Sequence, residues 1–318
     1  MEDKQRLQLG GSPDWMSRLP QKLQDEPLWN LALPGSHDSM SFCLDVSSPV
    51  LKSEPRLLRL TDKLFPCCTR PCVYRWATTQ QSVLSDQCDL GIRFLDLRIA
   101  RKPTEGVKLF FAHGIYTLLT VKEALEELAT WLDAHPKEIV IVCCSHFESL
   151  TLTDHIRLVE YILSLFGDKL CSSQDIPTLR SCWSRGQQVI VSYDDQQMAQ
   201  QHPELWTGIP YWYADSTDPK KVIAYLEDQK RSGRPAGFFV SGLNLTEDAP
   251  YIFLHPFQNL RKMTTKALSP LLGWASEQLP GPEAGRVNIL CCDFVAISQF
   301  CSLVIDLNYK LLDGAGAT

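Results

Sequence analysis

Short apolar runs separated by longer stretches of helical period recur along this chain, and that alternation constrains its fold more than any other feature. The runs Leu28–Leu33, Ile92–Ile99, Leu109–Ala112, Ile139–Cys144, Gln188–Tyr193, Gly237–Leu243 and Val287–Asp293 are expected as strands. The clearest intervening helix starts at Thr120 with Glu123 three residues on, a capping box, and spaces Val121, Ala124, Leu125, Leu128 and Leu132 along one face up to Pro136. A second, from about Asp154 to Phe166, carries Ile156, Val159, Leu163 and Phe166 and stops at Gly167. A third, near Ser298–Leu311, aligns Phe300, Val304, Leu307 and Leu311. Strand and helix in alternation imply an α/β architecture, a parallel sheet covered by helices. Periodicity alone does not separate a closed barrel from a doubly wound sheet, although no GxGxxG follows a strand, which weakens the dinucleotide-binding version.

The 318 residues, 44% of them hydrophobic, suffice for one large core, and no linker or internal repeat divides them. A single domain over 13–318 is expected behind a flexible tail, 1–12. The net charge of −6 argues against a nucleic-acid partner, because phosphates must be neutralised by a basic face. No strongly basic stretch stands out, so membrane attraction is expected to be local and weak. The polar start, Met1–Gly11, lacks the apolar run of a secretion signal, and no run approaches the roughly 20 apolar residues of a transmembrane helix. Twelve cysteines without a signal peptide point to a reducing, cytoplasmic setting. The pairs Cys67–Cys68, Cys143–Cys144 and Cys291–Cys292 read as strand neighbours facing opposite ways, hence as buried thiols rather than disulfides or metal ligands. The acceptor pattern Asn244-Leu245-Thr246 would go unused in the cytosol.

Four segments carry chemistry. In Leu33-Pro34-Gly35-Ser36-His37-Asp38-Ser39, a histidine follows an apolar run and a forced turn; taken alone, it reads more readily as a loop histidine than as a catalytic one. In Gly91–Ile99, alternation puts Asp96 and Arg98 on one face with Ile92 and Phe94. Such a pair either closes on itself or serves a ligand, since burying it unpaired is costly. Leu109–Tyr116 again ends an apolar run on a histidine, His113, followed by Gly114. Val287–Phe294 ends on Asp293; in a closed barrel the last strand lies beside the first, which brings Asp293 within reach of His37. Strand C-termini are where parallel α/β proteins bind ligands.

Taken in order, Gly35–Ser39, Gly91–Ile99 and His113-Gly114 resemble the X region of phosphatidylinositol-specific phospholipases C, most closely the small intracellular proteins built of that X domain alone. The resemblance runs from about Trp15 to Leu312 and implies a TIM-like (β/α) barrel, distorted or incomplete in this superfamily. It implies a peripheral, transient encounter with a phospholipid substrate at a membrane surface and a phosphodiesterase acting through a cyclic phosphate. His37 resembles the general base for the inositol 2-hydroxyl, His113 the general acid for the diacylglycerol oxygen, Asp293 the carboxylate holding the base, and Asp38 the one assisting the acid. Imidazole suits both roles because it titrates near working pH.

Arg98 resembles the bacterial, metal-independent members, in which an arginine replaces an acidic calcium ligand; Asp96 is placed to orient it. The segment Cys143-Cys144-Ser145-His146-Phe147 offers no carboxylate before Glu148, so neither metal nor cofactor is expected. Around Ser145-His146 and Ser192-Tyr193, the lysine and arginine of the bacterial pattern are missing, which leaves inositol specificity open. Tyr193, Tyr211 and Tyr213 are the candidate substrate contacts, and Trp206 and Trp212 are candidates to stack on a sugar or dip into lipid, or to pack as a loop. His135, His146, His155, His202 and His255 read as surface or satisfied residues. Competing readings are a glycerophosphodiesterase or lysophospholipase on the same barrel, and a lipid-binding or scaffolding module with little activity.

Overall fold

A computed structural model describes residues 11–314 apart from 104 and 256, so most of the expected tail lies outside the described residues. Its strands are β1 (Leu33–Ser36), β2 (Phe94–Arg101), β3 (Leu109–His113), β4 (Ile115–Thr120), β5 (Val140–Glu148), β6 (Val189–Tyr193), β7 (Leu205–Trp206), β8 (Tyr211–Trp212), β9 (Val240–Gly242) and β10 (Ile289–Cys292). Parallel pairing runs β7-β6-β5-β2-β1-β10-β9-β8. This is a TIM-like (β/α) barrel, open at a seam between the two-residue strands β7 and β8, where no ladder joins the described residues. The last strand does lie beside the first: Leu33 to Ser36 pair in register with Ile289 to Cys292.

Strand alternation builds the interior as a vertical gradient. Leu33, Phe94, Ile141, Ile190, Val240 and Ile289 form an apolar floor. Two residues further along these strands stand Asp96, Cys143, Ser192 and Cys291, and two further still Arg98, Ser145 and Asp293. Cys144 and Cys292 turn outward into the layer between sheet and helices, as expected for strand neighbours.

Three expectations shift. The apolar run Leu28–Leu33 is mostly not strand: Leu28–Asn30 is a 3-10 turn, and β1 begins at Leu33. Leu28 and Leu31 join Trp15, Met16, Leu19 and Leu23 in the interior cluster, so this run is apolar because it plugs the barrel floor. The Leu109–Ala112 run is not a barrel strand either. It forms an antiparallel hairpin with β4 against β2, turning at Gly114, whose φ of +70° suits only glycine without strain and where a Cβ would meet Val73 at 2.6 Å. The helix expected from Asp154 spans Leu152–Phe166, capped by Thr151 with Asp154, and its buried face is Leu158, Val159, Ile162 and Phe166; Ile156 faces solvent.

The Thr120-capped helix, Val121–Ala134, buries the residues its spacing predicts. The C-terminal helix breaks into Phe300–Asp306, a 3-10 turn and Lys310–Gly314, with Phe300, Val304 and Leu307 buried.

Candidate active site

Three residues near the C-terminal ends of barrel strands take unusual backbone conformations. Asp38 after β1, His146 in β5 and Phe294 after β10 all have positive φ, at 41°, 49° and 51°. Non-glycine residues adopt that region at a cost, so the surroundings must hold them there. Asp38 N–H donates to Asp96 Oδ2 at 3.1 Å, and Phe294 N–H donates to the Thr79 carbonyl at 2.7 Å. Thr79 and Gln80 then staple the two strand ends together: Thr79 Oγ1 donates to the His37 carbonyl, and Gln80 Nε2 bridges the carbonyls of His37 and Cys292.

His37 is held from both sides. Its Nδ1 lies 2.7 Å from Asp293 Oδ1 and its Nε2 lies 2.7 Å from Arg98 Nη2. A guanidinium only donates, so Nε2 is the lone-pair nitrogen and Nδ1 carries the hydrogen given to Asp293. Arg98 is itself held through Nε by Asp96 Oδ2 at 3.2 Å, while Asp96 Oδ1 accepts from Ser145 Oγ at 3.1 Å. Burial pushes the Asp96 carboxyl up, but Arg98, the histidines His37 and His146, and the Asp38 N–H outweigh it and hold the group at about 2. Asp96 is therefore an anion at any working pH.

His113 faces His37 across the opening, with ring centroids 6.1 Å apart. Its Nδ1 donates to the Ala77 carbonyl at 2.6 Å and lies 3.1 Å from Asp38 Oδ2, which leaves Nε2 free to meet a ligand. Burial, then Arg98 and His37, push this imidazole down to about 3. Burial pushes Asp38 up to about 7, with Arg98 pulling the other way. In the unliganded site the titrating proton of this pair favours Asp38 over the imidazole. Because Nδ1 already carries the hydrogen given to Ala77, an anionic ligand would favour ionisation of Asp38 and protonation of the imidazole at Nε2 by exchange with solvent.

His37, Arg98 and His113 line a cavity of about 330 Å³ with Thr79, His146, Tyr211, Tyr213, Asn244, Leu245, Thr246, Glu247 and Leu260. Arg98 is the sole lysine or arginine among the lining residues. Among the described residues, no three His, Cys, Asp or Glu side chains are grouped so as to hold a metal ion.

The family model PI-PLC X 1 matches residues 74–224. PI-PLC X domain-containing protein 1 of Danio rerio is 52% identical over 298 residues, 93% of this chain and 96% of that protein. The chain belongs to the PI-PLC X domain-containing family. The Homo sapiens protein 1 is 47% identical over 300 residues, 94% of this chain and 93% of that protein. Phosphatidylinositol-specific phospholipases C share the fold: one from Staphylococcus aureus superposes with a TM-score of 0.63 at 16% identity, covering 94% of this chain and 97% of that one. The enzyme from Listeria monocytogenes gives 0.61 at 18%, covering 94% and 99%. The chain is thus a phosphatidylinositol phospholipase C-like protein, and no helix among its described residues is long and apolar enough to cross a membrane.

His37, Asp38, Asp96, Arg98, His113 and Asp293 come together in this family member; the aromatic candidates divide. Tyr211 and Tyr213 line the cavity, and Tyr211 Oη donates to Asn244 Oδ1 at 3.0 Å. Tyr193 does not: strand parity turns it outward, fully buried among the helices, where its hydroxyl meets His155 Nδ1 at 2.8 Å. Trp206 packs beside Trp29 and Phe238 and donates to the Cys171 carbonyl, and Trp212 packs on Phe239, and neither lines the cavity. His146, expected to be surface or satisfied, lines the cavity with its Nδ1 2.9 Å from Ser145 Oγ. Thr79, Gln80, Asn244, Thr246 and Glu247 escaped sequence reading because they lie in loops without periodicity. The one available signal was Asn244, two residues past a strand end, set aside as part of a glycosylation pattern.

Proposed function

We propose that the chain is a phospholipase C-type phosphodiesterase that cleaves phosphatidylinositol in two histidine-catalysed proton transfers. The observation that carries this reading is that His37 and His113, with ring centroids 6.1 Å apart, line one cavity together with Arg98, which is bonded to the lone-pair nitrogen of His37. A phosphate entering the cavity would draw Arg98 from His37 onto its own oxygens, which exposes Nε2 as a base for a neighbouring hydroxyl. Asp293 would stabilise the imidazolium that forms, and the proton on the Asp38–His113 pair would pass from His113 Nε2 to the diacylglycerol oxygen as it leaves.

Attack by an internal hydroxyl yields a cyclic inositol phosphate, and water then opens it with the two histidines exchanging roles. Tyr211, Tyr213, Asn244, Thr246 and Glu247 offer hydroxyls, an amide and a carboxyl to a polyol, and burial pushes Glu247 up to about 7. With one guanidinium and a nearby carboxyl, the cavity suits an inositol carrying no phosphates beyond the diester.

The test is product analysis of purified protein with phosphatidylinositol in heavy-oxygen water. The expected first product is unlabelled cyclic inositol phosphate plus diacylglycerol. An earliest product that is already the labelled open-chain phosphate would refute the internal attack, and absence of turnover across a lipid panel would favour a lipid-binding module.

A further inference from the structure

The helix Arg56–Leu64 on the β1–β2 connection turns its apolar side outward. Asp62 is buried and held by Arg70 Nε at 2.7 Å, whereas Leu57, Leu60, Leu64 and the following Phe65 are 51–71% exposed. The three leucines follow the i, i+3, i+7 spacing of one stripe, and Arg56, Arg59 and Lys63 repeat that spacing along its flank. Residues 52–75 hold Lys52, Arg56, Arg59, Lys63, Arg70 and Arg75 against Glu54 and Asp62, a net charge of 6 − 2 = +4 within a chain of −6. The expectation of no basic stretch fails here because the cations are interleaved with leucines. An apolar stripe edged by cations matches the boundary between acyl chains and anionic headgroups.

The next turn presents two thiols. Of the twelve cysteines, Cys67 and Cys68 are the exposed ones, with Sγ atoms 3.9 Å apart. They lie on a helix, Pro66–Ala77, not on the strand their adjacency suggested. Sequential residues stand about 3.8 Å apart at Cα, below the roughly 4.4–6.8 Å that a disulfide spans, so oxidation of the pair to a disulfide is disfavoured. The far end of the same helix is Ala77, whose carbonyl holds His113.

We propose that Cys67 and Cys68 are sites of S-acylation by a long-chain fatty acyl group, which holds the basic amphipathic helix, and with it the cavity rim, on an anionic lipid surface. The proposal rests on the reading that the substrate is a membrane phospholipid. In the transfer, a cysteine thiolate attacks the carbonyl carbon of a fatty acyl–coenzyme A thioester, as delivered by a membrane acyltransferase. The new S–C bond forms as coenzyme A leaves as a thiolate that takes up the cysteine proton, with no change of oxidation state. One acyl chain alone binds a bilayer reversibly, and the adjacent cations or the second chain supply the other attachment.

The full chain expressed in a vertebrate cell line tests this by hydroxylamine cleavage followed by a maleimide mass tag, beside a resident S-acylated protein as control. The expected result is one or two hydroxylamine-dependent shifts, abolished in Cys67→Ser/Cys68→Ser, whose membrane-bound fraction falls severalfold while turnover of detergent-dispersed phosphatidylinositol is unchanged. No shift in the wild type, or a shift that survives in the double variant, would overturn the assignment, and an unchanged membrane fraction would overturn the anchoring. The mass tag reads the thiols directly, so it gives the same answer even for a chain that turns over no phosphodiester.

Discussion

Arg93, buried just before β2, and Arg98, partly buried within it, are used in opposite ways. At the floor, Arg93 spends all its donors on the protein: Nε and Nη2 on Glu138 Oε2, Nη1 on the carbonyls of Cys88 and Ile92, and Nη2 again on the Pro13 carbonyl. Glu138 in turn accepts from the N–H groups of Met16 and Ser17, so this pair ties the N-terminal segment to the barrel. At the mouth, Arg98 is bonded to Asp96 through Nε and to His37 through Nη2, and its side chain borders the cavity. A saturated ion pair can only hold structure. A partly engaged one, held rigid by a carboxylate that stays ionised, is preorganised for an incoming anion.

The largest expected effects fall at the mouth. His37→Ala should lower kcat/KM by about 10²–10⁴-fold, the usual worth of a positioned base, with the thermal midpoint nearly unmoved. Arg98→Met should cost about 10²–10³-fold, and Arg98→Lys should recover little of it, because a point charge does not reproduce the planar fork. An Arg98→Met enzyme with wild-type kcat/KM but a much lower midpoint would erase the distinction between the two ends.

At the floor the order reverses. Arg93→Met strands Glu138 in the core and should cost about 3–5 kcal/mol of unfolding free energy in a denaturant titration, while the remaining folded protein keeps its kcat per active site.

The pH profile sharpens the contrast further. Asp38, at about 7 in the free protein, loses the proton of the Asp38–His113 pair as pH rises, so kcat/KM should fall above about pH 7. Because its folded value lies above the ordinary 3.8, the same group contributes stability below pH 3.8 that is lost as pH climbs through about 7. Asp38→Asn should remove this limb from the rate profile and from the stability profile together; an unchanged limb would assign it elsewhere.

The smallest effect expected is at Tyr193. Removing its hydroxyl leaves His155 Nδ1 without that partner, so Tyr193→Phe should cost about 1 kcal/mol of stability and leave KM alone. A raised KM would return Tyr193 to the substrate side.

Most of the core and half of the site could be read without coordinates. The Val121–Ala134 helix follows from its capping box and spacing, and Asp96 and Arg98 share a face because strand side chains alternate. Local rules do not extend to why a run is apolar. Leu28 and Leu31 plug the floor and Leu109–His113 forms a hairpin, although both runs read as barrel strands in sequence, and Leu57, Leu60 and Leu64 face outward.

The sequence by itself determined the alternation of strand and helix, the shared face of Asp96 and Arg98, and two histidines at strand ends, because these depend on neighbours within a few residues. Tertiary structure decided which atoms of His37 and Asp293, 256 positions apart, would meet, and that Thr79 and Gln80 would staple their loops. It also decided that Tyr193 would face helices while Tyr211 faces the cavity. The reason is that register between strands and the closure of a barrel are set by packing over the whole sheet, where a shift of one residue sends a side chain to the other face.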